Sequence, residues 1–143
     1  LSEDLKKRIA GFYCRFSYAM YDTDITDPNH SEQIQAQTPE VTHPLVLRHP
    51  LDGKHSLYID VTQTLGIVGI EDCEALPLLK QLKSHVVRDD FVYRHQWRLG
   101  DVMMWDNGRL LHRRAQYNPR SIRLAKRTTI FLPANQFPVP YEV

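Results

Sequence analysis

The stretch FVYRHQWRLGDVMMWDNGRLLHRRAQY, residues 91–117, decides the fold. Phe91, Tyr93, His95 and Trp97 alternate with polar residues, the period-two pattern of a strand with one packed face. Leu99-Gly100-Asp101 turns the chain, VMMWD (102–106) reads as the next strand, and Asn107-Gly108 marks a tight turn before the strand RLLHRR (109–114). A last strand is predicted over residues 122–132. Four short strands joined by tight turns predict a mainly β fold with peripheral helices, a partial double-stranded β-helix of the jelly-roll type.

Upstream of this block the pattern is mixed. Leu5, Ile9, Phe12, Phe16 and Met20 recur near a helical period, with Glu3 and Asp4 in the first turn, and predict one amphipathic helix over residues 2–20. Residues 21–44 are polar, contain Asp27-Pro28 and predict a long surface loop. PLVLRHPLDGKHSLYID (44–60) holds two β-type runs around Asp52-Gly53, which predicts a hairpin over residues 45–60. Ala75, Leu78, Leu79, Leu82 and Val86 mark a second helix, with Pro77 in its first turn or at a kink.

Composition sets outer limits. The 143 residues, 42% hydrophobic and 24% charged, suffice for one domain with a core. A formal charge of +1 with interspersed signs excludes a basic nucleic-acid footprint. Cys14 and Cys73 form no metal or redox spacing and no disulfide framework, which fits a reducing cytoplasm. No apolar run approaches the roughly 18 residues of a membrane span, and no basic-then-apolar leader opens the chain. The chain begins at Leu1 and enters a helix at once, so further sequence is expected upstream.

Of the seven histidines, His112 stands apart by following a tight turn within a strand. The next strand carries Arg123 and Arg127, four residues apart and so on one face, separated by about 13 Å at roughly 3.3 Å per residue. A non-haem iron oxygenase needs such a layout. Two histidines and a carboxylate take one face of Fe(II), and an arginine fork holds the far carboxylate of a 2-oxo acid. Trp105 reads as a core or pocket-lining residue, and Asp106 as a turn aspartate bonding the local backbone. His43, His49 and His95 are expected to do no chemistry.

Three segments carry a resemblance: HPLVLRHPLDGKHSLYID (43–60), the block 91–117, and RSIRLAKRTTI (120–130). Together they resemble the C-terminal part of Fe(II)/2-oxoglutarate-dependent dioxygenases of the taurine and 2,4-dichlorophenoxyacetate dioxygenase (TauD/TfdA) family. The resemblance implies that residues 1–143 are the C-terminal portion of a single dioxygenase domain. It makes His112 the distal iron ligand. Arg123, eleven residues later, becomes the group that binds the distal carboxylate of 2-oxoglutarate, and Arg127 a second anion-binding residue facing co-substrate or substrate. Lys126, of opposite parity, points away.

The family's His-x-Asp pair, which supplies the other two ligands, occurs nowhere in this sequence. Phe16 stands where relatives commonly have a histidine near the substrate pocket, so Phe16, Trp105 and Arg127 are the expected pocket residues. Gly108 replaces the arginine of the usual Trp-Asp-Asn-Arg. The implied reaction hydroxylates a small organic acid, a sulfonate, sulfate ester or aryloxyacetate, with dioxygen as co-substrate and release of succinate and CO2. The implied assembly is a homo-dimer or homo-tetramer. The rival expectation is a non-catalytic jelly-roll module for small-molecule binding or oligomerisation.

Overall fold

The structure, a computed structural model, describes residues 1–17, 38–116, 118, 120, 122 and 124–130. Helix α1 spans Glu3–Ile9. The Ser2 hydroxyl accepts the Leu5 N–H at 3.3 Å, acids occupy its first turn, and Lys6, Lys7 and Arg8 occupy its last, each favourable for the helix dipole. The helix predicted to continue to residue 20 ends there, and the chain enters strand β1, Tyr13–Phe16. A spacing of four residues fits a helix, but it is also an even number, and Phe12, Cys14 and Phe16 share one face of a strand. In β1, Cys14 and Phe16 are buried while Tyr13 is exposed.

Strand β2 (Val41–Pro44) and strand β5 (Thr64–Ile67) flank β1 in an antiparallel sheet ordered β2-β1-β5. Residues 41–44 were expected in a loop, whose remainder, with Met20, lies mostly in 18–37, outside the described residues. Isolated, the short β2 has no distinguishing periodicity; β1 specifies it by pairing Cys14 with His43 and Phe16 with Val41. The predicted hairpin is present as β3 (Val46–Arg48) and β4 (His55–Leu57). Gly53 turns it at φ +70°, and the His49 and Lys54 backbones close it through His49 N–H donating to Lys54 O at 2.8 Å.

After β4, the Asp60 carboxylate gathers a turn. Its Oδ1 accepts the Thr62 and Gln63 N–H groups, both at 2.7 Å, and the Thr62 hydroxyl at 2.8 Å. Burial raises the pKa of Asp60, but these donors outweigh it and hold the group below the ordinary carboxylate value. Helix α2 spans Asp72–Val86, as predicted, and buries Ala75, Leu78, Leu79 and Leu82. Pro77 sits beyond the first turn, inside the helix. These four residues pack with Ile9, Cys14, Phe16, Leu45, Ile59 and Ile67 in one core. Burial pushes the Cys14 thiol up to about 11, so it stays protonated and inert at neutral pH.

The architecture is mainly β with a few helices. Beyond the 3-10 turn Asp89–Phe91, the described residues join no strand ladder, unlike the expectation for residues 91–97, 102–106 and 109–114 and for the described part of 122–132, of which residues 123, 131 and 132 lie outside the described residues. A strand exists by exchanging backbone hydrogen bonds with a neighbour, and none is offered to these segments among the described residues. Their apolar side chains are correspondingly open, with Tyr93 80%, Val102 95% and Leu124 85% exposed. No helix of the described residues is long and apolar enough to cross a membrane.

Candidate active site

The turn Trp105–Arg109 carries the chain toward His112, and its shape comes from Asp106. The Asp106 Oδ1 accepts the Gly108 N–H at 2.8 Å, and its carbonyl accepts the Arg109 and Leu110 N–H groups at 3.2 and 3.0 Å. Asp106 is thus the turn aspartate expected from sequence. Gly108 does not have a positive φ; its value is space, because a Cβ there would meet Asp106 Oδ1 at 3.2 Å. Trp105 donates from Nε1 to Asn107 Oδ1 at 2.8 Å and lays its ring 4.8 Å from that of His112, tilted by 49°.

This turn is tied to the β3–β4 hairpin by three side-chain links. His49 Nε2 and Asp106 Oδ2 are 2.9 Å apart, Arg109 Nη2 lies 2.6 Å from Asp52 Oδ1, and Ser56 Oγ donates to Gly108 O at 3.1 Å. The His49 side chain is 7% exposed. Hydrogen bonding by the Arg109 guanidinium, then by the Lys54 N–H, holds the Asp52 carboxyl below its usual range. The Arg109 Nε is buried without a hydrogen-bond partner, 3.6 Å from Asp106 Oδ2.

His112 itself is exposed, and the Trp105 ring is its recorded contact. Among the described residues neither ring nitrogen has a hydrogen-bond partner, so the imidazole fits a ligand whose lone pair is open to a metal. It is one donor: no group of three His, Cys, Asp or Glu able to hold a metal ion occurs among the described residues. Arg127 is exposed, and Arg123 lies outside the described residues. Phe16 is buried in the core, with the rings of His43 and Tyr58 each 5.6 Å from its own. The structure therefore brings Trp105 to His112 but sets Phe16 in a separate aromatic cluster.

The family model for the taurine catabolism dioxygenase TauD, TfdA family matches residues 1–129. The chain belongs to the TauD/TfdA dioxygenase family. It is 35% identical over 130 residues to an alpha-ketoglutarate-dependent 2,4-dichlorophenoxyacetate dioxygenase of Burkholderia sp. (strain RASC), covering 90% of this chain and 43% of the relative. Against the enzyme of the same name from Cupriavidus pinatubonensis the identity is 33% over 130 residues, covering 90% of this chain and 45% of the relative. The chain thus spans less than half the length of these relatives. Among solved structures it is similar to AAD-2 in complex with Mn(II) and N-oxalylglycine, with a TM-score of 0.58 and 27% identity over 69% of this chain and 39% of the other.

Sequence reasoning set His49 aside as a proline-flanking hairpin residue. The signal that could have found it is chemical: a histidine enclosed at the hairpin turn needs a polar partner, and the aspartate beside Trp105 supplies one.

Proposed function

We propose that this chain is the C-terminal portion of a single Fe(II)- and 2-oxoglutarate-dependent dioxygenase domain of the jelly-roll type, with His112 as one iron ligand. The observation that carries the reading is the 33–35% identity to 2,4-dichlorophenoxyacetate dioxygenases across 130 residues. The alternating apolar residues of 91–132 supply the strands that complete the jelly roll when neighbours are available to pair with them. The substrate is a small organic acid, with the aryloxyacetate class favoured by these relatives. N-Oxalylglycine, which shares the shape of 2-oxoglutarate, accompanies Mn(II) in a structural neighbour and supports the co-substrate assignment.

Fe(II), held in part by His112, would supply the oxygen activation, with 2-oxoglutarate as the co-substrate whose products would be succinate and CO2. The side chains of this chain hold and orient. His112 offers an imidazole nitrogen, and Trp105 restricts the rotation of that ring by packing against it. Arg123 pairs its planar fork with the distal carboxylate of 2-oxoglutarate. Arg127 faces the anionic end of the co-substrate or substrate, with Trp105 on the apolar side of the pocket. Fixing the substrate carbon in reach of the oxidant makes the step effectively unimolecular. The active assembly is a homo-oligomer.

The experiment is oxygen uptake and succinate formation by the intact protein with 2,4-dichlorophenoxyacetate or taurine. The proposal expects aryloxyacetate-dependent succinate. It also expects Arg123→Ala to raise the 2-oxoglutarate concentration required by about 10-fold or more, since a charge-assisted pair contributes about 1.5–3 kcal/mol. Succinate formation absent with every small acid would favour the non-catalytic module.

A further inference from the structure

His49 is buried in the hairpin turn, yet its ring reaches a carboxylate 57 residues away in sequence. Its Nδ1 lies 3.3 Å from the Leu51 nitrogen and 3.5 Å from Asp52 Oδ1, while Nε2 faces Asp106 Oδ2 at 2.9 Å, where a carboxylate calls for an N–H donor. The Asp106 carboxylate is then divided. One oxygen shapes the turn through the Gly108 N–H, and the other is fixed to the hairpin through His49.

This division has weight because residues 105–112 join no backbone ladder among the described residues. Side-chain links therefore set where the turn stands, and two of the three, Arg109–Asp52 and Ser56–Gly108, are exposed or half-buried. The His49 link is the one whose donor side chain is enclosed. It is also the one attached to the residue that organises the turn. A shift of Asp106 is transmitted along six residues to His112 and across the Trp105 ring packed against it.

We propose that His49 is a positioning residue for the metal ligand His112, acting through Asp106 to hold the ligand-bearing turn against the β3–β4 hairpin. The inference rests on His112 being a ligand, and it adds a residue to which neither composition nor resemblance gave a role. Groups that orient first-shell ligands typically change metal affinity by about 10- to 100-fold when removed.

The test compares His49→Gln with His49→Asn in the intact protein. Both are polar and smaller than histidine. The Gln amide reaches the Nε2 position and can still donate to Asp106, whereas the Asn amide reaches only the Nδ1 position. Mn(II) binding is measured by anaerobic titration, with circular dichroism to confirm folding, and amide exchange at Gly108 to Leu110 is followed without metal. We expect His49→Gln to bind Mn(II) within about threefold of wild type, and His49→Asn to bind about 10-fold more weakly with faster exchange in the turn. Equal Mn(II) affinities in the two variants, or equal exchange, would overturn the proposal. His112→Ala runs alongside: wild-type Mn(II) affinity in that variant would remove the ligand assignment itself, a failure distinct from that of His49.

Discussion

Replacing Asp106 by alanine removes the group that both shapes the Trp105–Arg109 turn and anchors it. Two losses can be sized from the structure. The Gly108 N–H, which is reached by water, loses a 2.8 Å bond, costing about 0.5–1.5 kcal/mol net. The His49 Nε2–H sits on a side chain 7% exposed and is left without its acceptor, costing about 1–3 kcal/mol. The Arg109 contact at 3.6 Å is partly exposed and screened, and contributes little. Asp106→Ala should therefore destabilise the protein by about 1.5–4.5 kcal/mol, summing these terms. Asp106→Asn, which retains one acceptor oxygen, should lose about half as much. Urea unfolding at neutral pH reads this as a fall in midpoint at constant slope. A stability within about 0.5 kcal/mol of wild type for Asp106→Ala would show that the turn is not held by this carboxylate.

Other perturbations probe the scaffold. Leu82→Ala on the inner face of α2, where the side chain is fully buried, should cost about 2–5 kcal/mol, against about 1 kcal/mol or less for Leu76→Ala, which is 49% exposed; equal losses would place the helix face wrongly. Gly53→Ala should cost about 1–2 kcal/mol because φ is +70°, and thermal melting that shows no loss would contradict the hairpin turn. Burial holds the His43 pKa below the usual 6.5, so the unfolded chain takes up this proton first as pH falls. His43 thus contributes a stability loss that begins as pH drops through about 6.5 and continues to its lower folded value, and His43→Phe should flatten that part of a stability–pH curve.

Local signals carried the hairpin and α2, because Asp52-Gly53 and the Ala75–Leu82 spacing each specify structure within a few residues. Where the structure depended on distant partners, the reading faltered. Phe12 and Phe16 fit both periods, and only pairing with β2 and β5 makes Tyr13–Phe16 a strand. Strand β5 was missed because Thr-Leu-Gly-Ile is four residues with a central glycine, too short to show alternation. The reverse holds for residues 91–97, whose alternation is plain but whose ladder needs neighbours that the described residues do not provide. In the candidate site, the Trp105–Asp106–Asn107 turn and His112 were legible as a local motif. The role of His49 was not, since it arises from a contact across 57 residues.

The central claim, that His112 is a metal ligand in a 2-oxoglutarate-dependent centre, is tested most directly by anaerobic absorption spectroscopy. Fe(II) and 2-oxoglutarate added to the intact wild-type protein should give the weak visible charge-transfer band of their chelate. His95→Ala, which removes a half-buried histidine paired with Asp101 at 3.0 Å, should keep the band, and His112→Ala should lose it. A band of normal position and strength in His112→Ala would contradict the account.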